Sequence, residues 1–160
     1  SAASDVYKRQ IYEQIPFRIR ARVMGWDRSV ERKVGPPPAW AECLLPGAED
    51  ARQFLTTLHC MVQINGGAAE NWPRSGLEAM ACGVPLVVEN RWGWREMVRH
   101  GQTGYLANCD AEVAFYVAQL ASHEQHRLEI AYRARAILED ELAHPETIWA
   151  AWRHLLEGLS

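Results

Sequence analysis

The runs MVQIN at 61–65 and PLVVE at 85–89 are short, apolar and rich in β-branched residues, and they are separated by a loop and a helical pattern rather than by a hairpin turn. Strands joined through a helix pair in parallel, because a hairpin's few turn residues bring strands together antiparallel. The same alternation begins earlier. A strand is expected from Trp40 to Leu45, then a Pro46-Gly47 turn, then a helix from about Asp50 to His59 with Phe54, Leu55 and Leu58 on one side. MVQIN stops at Gly66-Gly67, and a helix follows from Ser75 to Cys82, ended by Gly83 before PLVVE begins. Repeated strand, helix and strand is the signature of right-handed βαβ crossovers, so the expected class is α/β: a Rossmann-like parallel sheet with helices on both faces.

The flanks are read in the same way. Residues 4–15 carry Tyr7, Ile11, Tyr12 and Ile15 at helical spacing behind a Ser4 or Asp5 cap, and Pro16 ends that helix. FRIRARVMG then alternates, with Phe17, Ile19, Ala21 and Val23 on one face and Arg18, Arg20 and Arg22 on the other, which predicts a half-covered strand. Residues 25–39 read as a loop because of their proline triplet. After PLVVE, helices are expected over 94–99, 111–121, 124–143 and 146–159, with the strand TGYLA between the first two. The last helix places Ile148, Trp149, Trp152, Leu155, Leu156 and Leu159 on one stripe, the pattern of a packing surface. The division is an N-terminal helix over 1–16 and one domain over 17–160.

Charge narrows the partners. The net charge of −3 offers no surplus of cations for a phosphate backbone, so nucleic acid is excluded as the expected partner. The spread is uneven: residues 1–33 carry eight Lys or Arg against four acids, and the rest carry nine against sixteen. That basic portion reads as a solvated face, or as a surface toward an anion. Cys43, Cys60, Cys82 and Cys109 are too widely spaced for a zinc site and no secretory segment precedes them, so they are expected to be reduced thiols in a cytoplasmic protein. His123 and His126 are expected on a helix surface rather than as ligands, and no metal is expected. No apolar run is long enough for an integral membrane segment; peripheral attachment stays open.

The chemistry concentrates between residues 66 and 90. Glu70 and Glu78 are eight apart, a spacing that fifteen glutamates in 160 residues produce about once by chance, so context has to carry the reading. Glu70 stands in a loop past the carboxyl end of a strand, where ligands bind in open α/β sheets, and Glu78 stands inside the helix that follows. Between them, the amides around Arg74, Ser75 and Gly76 form a helix N-terminus suited to a diphosphate, and Gly66 and Gly67 permit close backbone approach. Ionised carboxylates accept hydrogen bonds from sugar hydroxyls. The alternative on residue chemistry alone is that Glu78 complements the helix dipole and Glu70 is a solvated loop acid.

ENWPRSGLEAMACGVPLVV resembles the donor-site signature of retaining GT-B glycosyltransferases of the family 4, or group 1, type, in which an E-x7-E pair is followed by Ala-Met-Ala-Cys-Gly-x-Pro. WGWREMVRHGQTGYLA resembles that family's next elements, and RIRARVMG and AECLLPGAEDARQFL extend the likeness upstream. The resemblance implies the nucleotide-sugar-binding, C-terminal half of a two-domain enzyme. It implies Glu70 on the donor sugar as the catalytic residue, Glu78 on the ribose, the amides of Arg74, Ser75 and Gly76 on the diphosphate, and Leu45 with Pro46 near the base. The donor would be a UDP- or GDP-linked hexosyl sugar, transferred with retention to a glycan or glycoconjugate acceptor, without a metal or other cofactor.

Two departures accompany the likeness. Asn71-Trp72-Pro73 replaces the frequent Gly-Phe-Gly, and Pro73 has no N–H to give. Nothing in SAASDVYKRQ matches the family's first strand, which is central in the order 3-2-1-4-5-6, nor the Lys that follows it. The expectation is therefore a fragment without its N-terminal acceptor domain, partly non-native at its start and inactive alone, in which residues 1–6 cover the gap or chains associate as a homodimer or by strand swapping. The alternatives are a non-catalytic nucleotide-sugar-binding module and a sugar-nucleotide epimerase of the same shape. An NAD-binding domain is disfavoured, since no G-x-G-x-x-G follows a strand.

Overall fold

The computed structural model describes residues 11, 13–16, 18–64 and 69–158. Ser4, Asp5, Tyr7, Tyr12, Phe17, Gly66, Gly67 and Leu159, together with the expected role of residues 1–6, lie outside them. The described residues form two parallel sheets. In the first, β1 (Ala21–Met24) pairs with β2 (Ala41–Leu44), Ala21 opposite Ala41. In the second, β3 (Met61–Gln63), β4 (Leu86–Glu89) and β5 (Gly104–Ala107) stand in that order, with Met61 opposite Leu86 and Leu86 opposite Gly104. The helices are α1 (Arg28–Val34), α2 (Ala51–Leu55), α3 (Arg74–Ala81), α4 (Trp94–Met97), α5 (Asp110–Ser122), α6 (Glu124–Ile137) and α7 (Pro145–Glu157). The strand and helix alternation and the parallel pairing agree with the sequence expectation.

β4 explains why the second sheet is stable. Leu86, Val87 and Val88 are wholly buried because the strand is central and covered on both faces, which is the environment of a continuous apolar run. Leu86 and Val88 face one cluster with Met80, Trp94, Met97 and Leu138, while Val87 faces the other with Val113, Val117, Leu120 and Ile130. This split follows from the two-residue period of a strand.

Three local readings are corrected. Residues 25–39 are not all loop: Asp27 caps α1 by accepting from the N–H groups of Ser29 and Val30, and Gly35, at φ 93°, ends it before the prolines. The helix expected to His59 stops at Leu55. Thr56 donates its hydroxyl to the carbonyls of Arg52 and Gln53, and Thr57 donates to that of Phe54, so side chains compete for the acceptors of the last turn. The helix expected over 124–143 is α-helical only to Ile137 and continues as a π-helical segment over Leu138–Leu142, closed by Ala143 N–H on the Leu138 carbonyl.

The arginine face of β1 is covered in part: the Arg20 side chain is 78 % exposed, whereas Arg22 is enclosed. The Arg22 side chain is only 10 % exposed, and its guanidinium contacts Glu42 at 2.9 Å and Glu49 at 2.7 Å, donates to Thr57 Oγ1 at 2.7 Å and lies over the Phe54 ring. A buried guanidinium is tolerated because its donors are paired. The bonds from Arg22, with one from Arg20, hold the Glu42 carboxyl below the usual carboxylate range, and those to Glu49 and Thr57 tie the first sheet to the segments on either side of α2. No residue of α7 is buried, and Trp149 and Trp152 remain 67 % and 55 % exposed.

All four cysteines are free. Burial pushes the Cys60 thiol up to about 12, whereas Cys109 is exposed. The raised pKa leaves almost no thiolate at pH 8, so a thiol-disulfide reagent at that pH should modify Cys109 first and Cys60 about a thousandfold more slowly than an ordinary thiol. Mass spectrometry of the partly labelled protein checks this; early labelling of Cys60 would refute its burial.

Candidate functional site

Parallel strands deliver their carboxyl ends to one edge of a sheet, and the loops there carry the candidate residues. Leu45 and Pro46 follow β2, Glu70 and the start of α3 follow β3, Asn90 to Gly93 follow β4, and Asn108 follows β5.

Glu70 is half-buried, and its loop is held from behind. The Glu70 carbonyl accepts from the Gly93 N–H at 3.0 Å. A Cβ at Gly93 would lie 1.8 Å from the Asn71 carbonyl oxygen, so only glycine lets the loop after β4 approach this closely. The Ser75 hydroxyl donates to Gln63 Oε1 at 2.8 Å, linking the first turn of α3 to the end of β3. Glu70, Ser75 and Gln63 are among the lining residues of a trench of about 1250 Å³ to which β1 and β3 also contribute.

The start of α3 accommodates Pro73 without an N–H. Pro73 is the N-cap, in an extended conformation, and its carbonyl accepts from the Gly76 N–H at 3.0 Å. The Gly76 amide is therefore engaged inside the helix, which leaves Arg74 and Ser75 as the first-turn amides open to an anion. Gly76 has a different task. A Cβ there would lie 2.7 Å from the Trp94 ring and 2.6 Å from Met97 Sδ, so glycine lets α3 press onto α4.

Glu78 does not share the trench with Glu70. It is exposed and lines a smaller cavity of about 600 Å³ with Arg52, Thr56, Cys82 and Arg135. Arg74, also exposed, stands four residues before it on the same side of α3. Leu45 is 64 % exposed and Pro46 is exposed, and neither lines either cavity. Among the sequence-predicted residues, then, Glu70 and Ser75 line the same trench, while Arg74 and Glu78 stand about one turn apart on α3.

The sequence reading missed Gly93 and the polar group beside it. Asn90 donates its amide to Asn108 Oδ1 at 2.9 Å, and Arg95 Nε donates to the Asn90 carbonyl at 2.9 Å and to its Oδ1 at 3.0 Å, which ties the ends of β4 and β5 to α4. A glycine between two tryptophans in RWGWRE was the available signal. His126 is not a bare surface residue: it hydrogen-bonds the Tyr105 hydroxyl, and Tyr105 stacks on Tyr116 at 4.3 Å. Among the described residues no three His, Cys, Asp or Glu side chains are grouped to hold a metal ion, and no helix is long and apolar enough to cross a membrane.

Residues 45–137 match the model of the family described as glycosyl transferases group 1. No curated protein matches the chain. Among solved structures, it is similar to HepE of Anabaena in complex with UDP (TM-score 0.80, 20 % identity, 97 % of this chain and 45 % of that one). It is also similar to TarM of S. aureus in a complex that contains UDP (TM-score 0.77, 14 % identity, 97 % and 33 %). A third likeness is to the pneumococcal O-GlcNAc transferase GtfA in complex with UDP and GlcNAc (TM-score 0.61, 16 % identity, 98 % and 32 %). The chain spans less than half the length of these three, and at such identities the likeness shows the fold.

Proposed function

Because the chain belongs to the glycosyl transferases group 1 family, we propose that it is the donor-binding part of an enzyme that moves a hexosyl sugar from a nucleoside diphosphate to a glycan or glycoconjugate. The observation that carries this reading is the placement of Glu70: half-buried, pinned through its carbonyl by Gly93, and set beside the open start of α3. A carboxylate at that point accepts donor-sugar hydroxyls while the first amides of α3 face the diphosphate.

In this reading the Arg74 and Ser75 amides, the Arg74 guanidinium and the partial positive charge of the helix start stabilise the departing nucleoside diphosphate, which removes the need for a metal. Glu78, one turn beyond Arg74, takes the ribose hydroxyls, and Leu45 with Pro46 flanks the base. Glu70 stays close to the sugar carbon as positive charge develops, and the configuration is retained. UDP is the favoured nucleotide because HepE, TarM and GtfA were each solved with it. The acceptor site belongs to parts of the protein outside this chain, so this chain alone is proposed to bind donor without turnover.

Calorimetric titration with UDP, GDP and ADP tests the proposal. UDP should bind one to one, and Arg74→Ala should weaken it about tenfold, a loss of about 1.4 kcal/mol. Absence of heat with all three nucleotides at millimolar concentration, from a folded protein, would remove the donor-site reading.

A further inference from the structure

We propose that Trp72 and Trp92 form an aromatic platform for a pyranose ring of the acceptor glycan, beside the Glu70 loop; the proposal rests on the donor-site reading for its direction. The two tryptophans stand on the loops after β3 and β4, and those loops touch at the neighbouring residues. A Cβ on Gly93 would lie 1.8 Å from the Asn71 carbonyl oxygen, and the Gly93 N–H donates to the Glu70 carbonyl. Each tryptophan is therefore one residue from the same contact, and one step of the chain is about 3.8 Å. Trp72 is 40 % exposed and Trp92 is 51 % exposed, and neither indole has a ring contact or a side-chain hydrogen bond among the described residues. Trp92 is held at φ 51°, and among the described residues it is the one non-glycine residue at positive φ. A bulky residue is strained there, where glycine is not. The loop is fixed around it: Asn90 N–H donates to the Ala107 carbonyl, Arg95 N–H to that of Trp92, and Arg95 Nε to that of Asn90. Burial offsets little of the strain in a residue that is half exposed. Glycine would serve the turn without strain, so the ring serves something outside the fold, as strained positions at ligand sites do.

The chemistry around the rings selects the occupant. An indole face carries negative charge density, and a pyranose face presents C–H bonds that the sugar's oxygens make slightly positive, so the two stack while the hydroxyls at the sugar's edge stay free for hydrogen bonds. Asn71 and Arg91 adjoin the two tryptophans in the chain, are exposed, and have no side-chain partner among the described residues. An amide and a guanidinium supply donors and an acceptor for those hydroxyls, which a lipid or an apolar peptide would leave unused. The rings also lie apart from the donor-side cavities: neither Trp72 nor Trp92 lines the trench that includes Glu70 or the cavity that includes Glu78. An acceptor hydroxyl, however, has to reach the sugar carbon that Glu70 attends, so the acceptor ring has to rest next to this pair of loops. The platform adds one contact from this chain to an acceptor site otherwise proposed to lie outside it.

The test follows the indole N–H signals of the isotope-labelled chain by NMR during titration with cellotetraose, whose β-linked glucose rings present axial C–H bonds on both faces. At millimolar glycan the Trp72 and Trp92 signals, identified by their disappearance in Trp72→Phe and Trp92→Phe, should shift together, with or without UDP-glucose. Trp149 and Trp152 are more exposed but stand on α7, and they should not shift. Trp92→Gly should weaken glycan binding about tenfold or more, read at the Trp72 signal, while the urea midpoint stays the same or rises because glycine relieves the strain at φ 51°. Any of five results would overturn the proposal: no shift at either indole with cellotetraose or maltotetraose; equal shifts at Trp149 and Trp152; displacement of the glycan by UDP-glucose, which would give the rings to the donor; a lower urea midpoint for Trp92→Gly; or a dimer in sedimentation that Trp92→Gly dissolves. A chain that responds to glycan but binds no nucleotide would count against the donor-site reading and not against the platform, so the two failures are separable.

Discussion

Gly93→Ala should lower the stability of this chain by about 3 kcal/mol or more and abolish detectable nucleotide binding. The added methyl would lie 1.8 Å from the Asn71 carbonyl oxygen and 3.1 Å from that of Glu70, and both obstacles are backbone, which cannot rotate away as a side chain can. Either the loop after β3 retreats or the loop after β4 does. Overpacking of this kind costs about 1–3 kcal/mol when neighbours can adjust, and more when they cannot. Each retreat also breaks the Gly93 N–H bond to the Glu70 carbonyl, so the carboxylate loses its position together with the fold's stability. Gly158→Ala is the control: its Cβ would meet nothing closer than 3.5 Å, and the change should stay within about 0.5 kcal/mol. Urea denaturation of both variants, with calorimetry on whichever is folded, decides the matter. A Gly93→Ala protein as stable as the parent would show that the two loops do not touch as described.

Trp94→Ala should cost about 3–5 kcal/mol, the range for deleting a buried aromatic side chain. Trp94 is wholly buried at the start of α4, packed against Gly76 of α3 and within the cluster that includes Met80 and Met97. Its removal leaves α3 without the surface that sets its height above the sheet, so Arg74 and Ser75 should shift and UDP affinity should fall beyond the loss of folded protein. Trp94→Phe is more informative than it looks. The indole Nε1 is buried with no hydrogen-bond acceptor among the described residues, and an unsatisfied buried donor costs about 1–3 kcal/mol. Phenylalanine leaves a smaller void but removes that donor, so the two effects should nearly offset each other and stability should change by about 1 kcal/mol or less. A Trp94→Phe loss as large as that of Trp94→Ala would show that Nε1 has an acceptor after all.

The legible parts of this molecule were those written in short-range pattern. β4 was visible because a strand buried on both faces requires an unbroken apolar run, and the start of α3 was visible because the chain turns from polar loop to helical period within a few residues. α1 was hidden by the proline triplet that follows it, although Asp27 and Gly35 were proper boundary signals. Thr56 and Thr57 hid in the other direction: nothing in helical periodicity announces that hydroxyls will take the last carbonyls.

By itself the sequence determined the α/β class, the parallel order of strand and helix, and the position of Glu70 past a strand's carboxyl end. Each of these depends on residues that are neighbours along the chain. Only the tertiary structure decided that Gly93 clamps the Glu70 loop, that Gly76 serves contact with Trp94, and that Glu70 and Glu78 line different cavities. Those outcomes rest on approaches between segments about twenty or more residues apart, or on which side of one helix meets which cavity. Packing settles such questions to within ångströms, where a single Cβ changes the answer.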